Sequence, residues 1–186
     1  MADNAKPQTD RLFIGVPLTD DARRAIAVSL PKVLPGKPVV PENWHFTLRF
    51  LGATKMEVRN SLVAELSATD LGPSFTIRLA ALGAFANPRR ARILWLGVEN
   101  GADRFRALAK VVEDVARGLG FKREERAFTP HLTLSRIDPP APVTSLLASG
   151  IRVDADMLVD SIVLYRSRLS SGPPRYEELG RFLLRP

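Results

Sequence analysis

Apolar residues are arranged along the chain in short segments, several of which alternate with polar residues as a half-buried β-strand does. Three other segments repeat apolar residues every three or four positions, the spacing of an amphipathic helix. The predicted strands cover residues 11–17, 44–51, 75–82, 93–98, 131–137, 161–169 and 176–184. The predicted helices carry Ala22, Ile26 and Leu30; Val58, Leu62 and Leu66; and Phe105, Leu108, Val112, Val115 and Leu119. Thr19 or Asp20 is placed to cap the first helix.

Strands and helices interleave in this pattern, yet several neighbouring strands are joined by only a few residues. Such short connections suit antiparallel hairpins, so we expect an α+β fold. A weak internal repeat is present, because a strand, a helix and a histidine-bearing strand follow one another in each half. The length fits a single domain over 1–186 built from two lobes that share a core, with 1–10 as a flexible tail.

The composition excludes several classes of chemistry. The chain has no cysteine, so disulfides, thiolate nucleophiles and cysteine-based zinc sites are ruled out. No apolar run approaches the ~20 residues that a membrane span needs, and the polar first ten residues lack the apolar core of a signal peptide. We therefore expect a cytoplasmic protein that makes no membrane contact.

The charge balance favours a polyanionic partner. The chain has 27 basic and 20 acidic residues, and 21 of the basic residues are arginine, whose planar guanidinium binds phosphate with two hydrogen bonds. An arginine-rich genome composition would produce the same numbers. The charge therefore supports a nucleic-acid substrate without establishing one.

The two histidines of the chain occur in matching tetrapeptides, His45-Phe-Thr-Leu48 and His131-Leu-Thr-Leu134. Residues two apart in a strand point to the same face. Each strand should therefore present an imidazole beside the hydroxyl of Thr47 or Thr133, with the apolar residues of the motif facing the core.

Two such pairs facing each other would suit cleavage of a phosphodiester without a metal ion. One imidazole near its ordinary pKa can accept a proton while the other donates one, and the hydroxyls can hydrogen-bond the non-bridging oxygens. A purely structural role for both histidines and a metal site are the alternatives. The metal site is disfavoured, because no acidic residue lies near either histidine at ligand spacing.

These paired motifs, one in each half, resemble those of the 2H phosphoesterase superfamily. More narrowly, the chain resembles the RNA 2′,3′-cyclic phosphodiesterases, which are also described as 2′-5′ RNA ligases. Besides the histidine motifs, the resemblance covers residues 11–14, 41–52, 83–90, 128–134, 164–169 and 176–182.

Membership of that family implies two lobes, each an antiparallel sheet with flanking helices, around a V-shaped cleft. It also implies metal-free and cofactor-free hydrolysis of an RNA 2′,3′-cyclic phosphate to a 2′-phosphomonoester. In that reaction His45 is the proton donor, His131 is the proton acceptor, and Thr47 and Thr133 bind phosphate. Because the two motifs are nearly symmetric, the sequence itself does not decide which histidine is the acid and which is the base.

Arginines supply the remaining candidate site residues. Arg136 corresponds to a phosphate-contacting arginine of the family, although strict alternation places it opposite His131. It therefore requires a bend or bulge in the strand, or a side chain that curls over the cleft edge; a solvated strand-end charge is the alternative. Arg89, Arg90 and Arg92 form a cluster that could contact RNA phosphates beyond the scissile group, or could simply be solvated.

Three other functions remain open at this stage. The same two histidines would serve reversible 2′-5′ joining of RNA, or hydrolysis of a cyclic phosphate on a non-RNA nucleotide such as an ADP-ribose derivative. A basic RNA-binding module with vestigial histidines is the non-enzymatic alternative. The expected partner is an RNA with a 2′,3′-cyclic phosphate end, including RNA derived from tRNA, or a cyclic nucleotide, and the protein is expected to be a monomer.

Overall fold

A computed structural model describes residues 9–168 and 172–186. The strands are β1 Thr9–Pro17, β2 Lys37–Pro38, β3 His45–Lys55, β4 Phe75–Phe85, β5 Ala91–Asn100, β6 His131–Ala141, β7 Asp156–Val159, β8 Ser161–Arg168 and β9 Arg175–Leu183. The helices are α1 Asp20–Ser29, α2 Met56–Ala68, α3 Ala102–Gly118 and α4 Thr144–Ala148, with a 3₁₀ turn at Pro41–Asn43. The predicted helices and strands are all present. β2, β7 and α4 were not predicted, because each is too short to show a repeating pattern.

The strands form one antiparallel sheet in the order β7-β4-β5-β6-β3-β1-β8-β9, with β2 beside β6. This confirms the α+β class. The two lobes are the four strands on either side of the β3–β6 junction, and they belong to one continuous sheet. The internal repeat is also real, because β1, α1 and β3 of one lobe correspond to β5, α3 and β6 of the other.

The helices bury the core against this sheet. α2 and α3 pack on β3 and on each other, while α1 contacts β7 and α2 contacts β9 near the two ends of the sheet. Phe105 of α3 lies against Phe46 and Phe75, with ring centroids 5.2 and 5.9 Å apart. The hydroxyl of Thr19 accepts a hydrogen bond from the Ala22 amide and so caps α1.

The tail predicted for residues 1–10 is too long at its C-terminal end, because Thr9 and Asp10 belong to β1. The Asp10 carboxylate lies 2.9 Å from Arg59 and 3.2 Å from Arg166, and these ion pairs hold the start of the strand. Residues 1–8 and residue 169, the predicted end of a strand, lie outside the described residues. Within the described ranges, no helix combines the length and the apolar character needed to cross a bilayer.

Candidate active site

The two histidine-bearing strands meet at the centre of the sheet. Phe46 of β3 pairs with Leu132 of β6, and both side chains are fully buried on the helix-covered face. Residues on either side of this pair therefore point to the opposite face. Extended by one residue in each direction, the antiparallel register sets His45 level with Thr133 and His131 level with Thr47. The His45–Thr47 pair of β3 and the His131–Thr133 pair of β6 are thus related by an approximate twofold axis.

Both imidazoles are oriented by the same backbone contact. His45 Nδ1 lies 2.7 Å from the carbonyl oxygen of Asn43, and His131 Nδ1 lies 2.7 Å from that of Thr129. Because a carbonyl oxygen only accepts hydrogen bonds, each Nδ1 must carry the proton. In each neutral ring, Nε2 is then left with a free lone pair and can exchange a proton with a ligand.

His45 is enclosed by aromatic rings. It stacks on Phe13 with centroids 4.7 Å apart, meets Tyr176 edge-on at 5.3 Å and lies 6.0 Å from Tyr165. Gly15 makes this packing possible, because a Cβ at that position would lie 3.2 Å from His45 Cδ2 and 2.9 Å from the Phe46 carbonyl oxygen. Burial raises the pKa of Tyr165 to about 12 and also raises that of Tyr176, so both phenols stay protonated.

His131 has fewer aromatic neighbours. Its ring meets Phe85 edge-on at 5.0 Å and Trp95 at 6.3 Å. Trp95 pairs with Thr133 in the adjacent strand, and its indole ring occupies the space beside Gly83, where any Cβ would clash with it. His131 is thus held by one aromatic wall, whereas His45 has rings on several sides.

Burial depresses the basicity of both imidazoles. The pKa of His45 falls to about 4, first because burial disfavours the charged ring and further because Arg136 and His131 lie nearby. The pKa of His131 is also lowered, by burial and then by Arg136. Both rings are therefore neutral in the empty protein at neutral pH. The effect of His131 on the pKa of His45 also indicates that the two rings lie in one region of the fold.

Arg136 lies on the face of the histidines because β6 contains a β-bulge. The register of β6 against β5 shifts by one residue at Leu134, so Leu134 and Ser135 are both fully buried. The next residue, Arg136, is then exposed on the cleft face, where its charge lowers the pKa of His45 and of His131. The bulge, rather than a side chain that curls over the cleft edge, therefore brings Arg136 to this face.

β3 contains the corresponding bulge, at Leu48, and it brings out a residue that the sequence reasoning missed. The register of β3 against β1 shifts there, and Phe50 is left 61% exposed. Phe50 lies five residues after His45, as Arg136 lies five residues after His131. Strict alternation would place Phe50 on the core face with Phe46 and Leu48. The exposure of Phe50 therefore depends on the bulge and could not be predicted from the alternation.

Two cavities flank the histidine pair. The larger, of about 1030 Å³, is lined by Thr47 and His131 and extends to α3 and the segment that follows it. The smaller, of about 380 Å³, is lined by Arg11, Arg136 and Tyr176. Phe50 contributes to the wall of both cavities.

A nearly buried ion pair ties the lobes together beside the larger cavity. Arg49 Nε of β3 lies 2.7 Å from Glu113 Oε2 of α3, and the Arg49 guanidinium also donates to the Lys122 carbonyl oxygen. Glu113 in turn accepts from the Glu124 amide at 3.0 Å. The segment that leads into His131 is thereby fastened to the strand that carries His45.

The structure divides the predicted arginine cluster. Arg92 lines the larger cavity, whereas Arg89 and Arg90 are exposed and absent from the lining of both cavities described above. Arg89 and Arg90 lie in a turn whose amides bond to the Asn87 side chain. Among the described residues, no group of three or more histidine, aspartate or glutamate side chains is placed to hold a metal ion.

Comparison with known proteins gives consistent matches. Residues 36–170 match the model of the 2′-5′ RNA ligase superfamily. The chain is 38% identical over 153 residues to an RNA 2′,3′-cyclic phosphodiesterase of Aeropyrum pernix, covering 78% of this chain and 85% of that protein. It is 32% identical to the Escherichia coli protein of the same name, covering 97% and 98% of the two chains.

A solved structure agrees with the fold. The crystal structure of Escherichia coli LigT complexed with 3′-AMP superposes with a TM-score of 0.76 at 28% identity, over 95% of this chain and 99% of that one. The family match covers most of the chain, and both histidine-bearing strands, β3 and β6, lie within the matched region. The chain therefore belongs to the 2′-5′ RNA ligase superfamily, the two-histidine phosphoesterases.

Proposed function

We propose that this protein hydrolyses the 2′,3′-cyclic phosphate at an RNA end to a 2′-phosphomonoester, using His45 and His131 as acid and base. The observation that carries the proposal is the matched orientation of the two imidazoles. Both lie on one face at the lobe junction, and both keep Nε2 free by using Nδ1 on a backbone carbonyl. The names of the relatives add the substrate class.

The proposed reaction moves one proton on each side of the phosphorus. His131 Nε2 takes a proton from the attacking water as its oxygen bonds to phosphorus. The bond from phosphorus to O3′ breaks, and protonated His45 gives its Nε2 proton to O3′. The products are a 2′-phosphomonoester and a 3′-hydroxyl, and the proton then on His131 is exchanged through solvent to restore His45.

Three polar side chains are proposed to hold the phosphoryl group. Thr47 and Thr133 donate hydroxyl hydrogen bonds to its non-bridging oxygens, where negative charge develops. Arg136 supplies a positive charge on the same face. The phosphate anion opposes the effect of Arg136 on the histidines, so substrate binding favours the protonated His45 that the reaction requires.

The finer expectations belong to the same proposal: a cytoplasmic monomer that acts without metal on RNA ends, including those derived from tRNA. The test is incubation of cyclic-phosphate-terminated RNA with the protein in the presence of EDTA. The proposal expects a 2′-phosphate end as the product. Loss of turnover in EDTA that zinc restores, or a 3′-phosphate product, would contradict it.

Reversible 2′-5′ joining of RNA is the second candidate, and the smaller cavity favours it. Joining requires room for a second RNA end beside the cyclic phosphate, and the cavity by Arg11, Arg136 and Tyr176 offers about 380 Å³ there. Adding a 5′-hydroxyl RNA to the hydrolysis assay separates the two reactions. A 2′-5′-linked product that forms faster than the hydrolysed end would make joining the principal activity.

A further inference from the structure

The larger cavity carries a surplus of positive charge. Seven basic and three acidic side chains line it. Each acid already has a cationic partner: Glu113 and Glu124 lie 2.7 and 3.6 Å from Arg49, and Asp114 lies 2.5 Å from Lys110. Every carboxylate that lines the cavity is therefore already paired with a cation.

Four arginines of this wall, Arg92, Arg117, Arg123 and Arg126, are exposed and have no ion-pair partner among the residues that the structure describes. We call them the arginine wall. They come from β5, from the last turn of α3 and from the segment that follows it, and the fold brings them to one cavity. A cyclic phosphate carries one negative charge, which Arg136 already faces. The arginine wall therefore has a capacity for anions that a single phosphate does not use.

The cavity also has the size and the aromatic surface of a nucleic-acid site. Its volume of about 1030 Å³ is at the upper limit of small-molecule pockets, which range from roughly 300 to 1,000 Å³. Phe50 and Phe85 line it, and Phe50 exposes 61% of its surface. Exposed rings beside unpaired arginines are typical of surfaces that bind single-stranded nucleic acid, where bases stack and cations follow the backbone.

We propose that this cavity binds the single-stranded RNA preceding the cyclic phosphate, with the arginine wall contacting successive phosphodiesters. His131 and Thr47 line the same cavity, so a strand bound there has its end at the histidine pair. The inference rests on the proposed function and adds to it a preference for RNA strands over mononucleotides. It also selects Arg92 from the cluster of residues 89–92 and adds three arginines that the sequence did not single out.

The test compares two substrates with the same reactive end: 2′,3′-cyclic AMP, and an oligoribonucleotide of roughly ten residues ending in the same group. The test variant is the triple substitution Arg117→Gln, Arg123→Gln and Arg126→Gln. For single-stranded nucleic acid, each lost phosphate contact lowers the slope of log affinity against log salt concentration by about 0.7 in magnitude. We expect kcat/KM on the oligonucleotide to fall about a hundredfold near 0.1 M salt, and its log–log salt slope to flatten by about 2. Turnover of cyclic AMP should be unchanged.

A control variant with the same loss of charge is Lys32→Gln, Lys55→Gln and Arg104→Gln. These residues are exposed, and they line neither of the two cavities. The control should keep its oligonucleotide activity to within a few-fold. A second test variant, with lysine at the three arginine positions, should recover most of the lost activity because the charge is retained.

Two results would overturn the inference: equal losses on both substrates, or a test variant no weaker on the oligonucleotide than the control. In either case, turnover of cyclic AMP by the unmodified protein would leave the proposed hydrolysis standing. If neither substrate is turned over by the unmodified protein, the proposed hydrolysis fails. The arginine wall is then judged by RNA affinity alone, with the same variants and the same expected salt slopes.

Discussion

The two half-sites share a backbone design and differ in what surrounds it. In each, Nδ1 is fixed 2.7 Å from a carbonyl oxygen two residues earlier, a threonine follows two residues later, and a bulge occurs at the leucine after that. Beyond the bulge, β3 presents the exposed ring of Phe50 where β6 presents the charge of Arg136. His45 is also the more enclosed ring.

The features that the two half-sites share and the features in which they differ serve different needs of the reaction. The shared design delivers two imidazoles with the same tautomer to one place, which a two-sided reaction at phosphorus needs. The differences make the two sides chemically distinct, since burial takes the pKa of His45 to about 4 while the guanidinium comes only from the second half. Neither half contains a complete site.

The largest expected effect comes from removing either histidine. His45→Ala and His131→Ala should each lower kcat by about 10³-fold or more, because general acid–base catalysis contributes roughly 10²–10⁴-fold per group. The double variant should be scarcely worse than either single variant, because the two groups act in one step. Single-turnover rates on a cyclic-phosphate RNA measure this. Independent, multiplying losses would contradict a shared step, and unchanged turnover would show that neither histidine takes part in the reaction.

The next effect tests the difference at the position after the bulge. Arg136→Met should lower kcat/KM by about a hundredfold, because it removes a charged donor to the phosphoryl group. It should also raise the pKa of both histidines, since the guanidinium lowers them in the native protein. Arg136→Lys should recover part of the activity, and Phe50→Leu should have a smaller effect on the cyclic mononucleotide. An Arg136→Met variant with native kinetics would reduce this arginine to a surface charge.

The pH dependence sharpens the contrast in burial. Both pKa values are lowered from the ordinary value of 6.5, so both limbs of the kcat/KM profile should lie below pH 6.5. The acidic limb should lie near the His45 value of about 4. Above the higher of the two histidine pKa values, kcat/KM should fall tenfold per pH unit, because the proton-donating histidine loses its proton. In kcat both limbs should move upward, since the bound phosphate anion favours imidazolium. A kcat/KM limb above pH 6.5 would mean that burial does not govern these rings.

A smaller effect tests how closely β1 supports His45. Gly15→Ala should lower kcat about tenfold, because the new methyl would approach His45 Cδ2 at 3.2 Å and displace the ring. Gly118→Ala is the control, since a Cβ there meets no atom within 4 Å. Kinetics and thermal unfolding should be measured together. Native kcat in Gly15→Ala would show that the position of His45 tolerates displacement.

The sequence predicted the parts of this site that follow strand periodicity. The pairing of His45 with Thr47 and of His131 with Thr133 depends only on spacing, and the structure places all four residues on one face at the junction. Phe50 and the placement of Arg136 depend on bulges, which shift the alternation by one residue and leave no marker in the sequence. The carbonyl groups that orient the imidazoles are backbone atoms, to which side-chain identity gives no access.

The arginine wall lay beyond sequence reasoning for another reason. Arg117, Arg123 and Arg126 come from the end of α3 and the segment that follows it, and Arg49 and Glu113 hold that segment against β3. A tertiary ion pair of this kind has no local pattern. The overall charge of +7 indicated a polyanionic partner but not the surface that binds it.

The most direct test of the two-histidine mechanism is a crystal structure with an uncleavable analogue of a 2′,3′-cyclic phosphate bound between β3 and β6. We expect His45 Nε2 and His131 Nε2 both to lie about 3 Å from oxygen atoms on the same phosphorus, on opposite sides of it. A phosphorus contacted by only one of the two rings, or bound away from both, would contradict it.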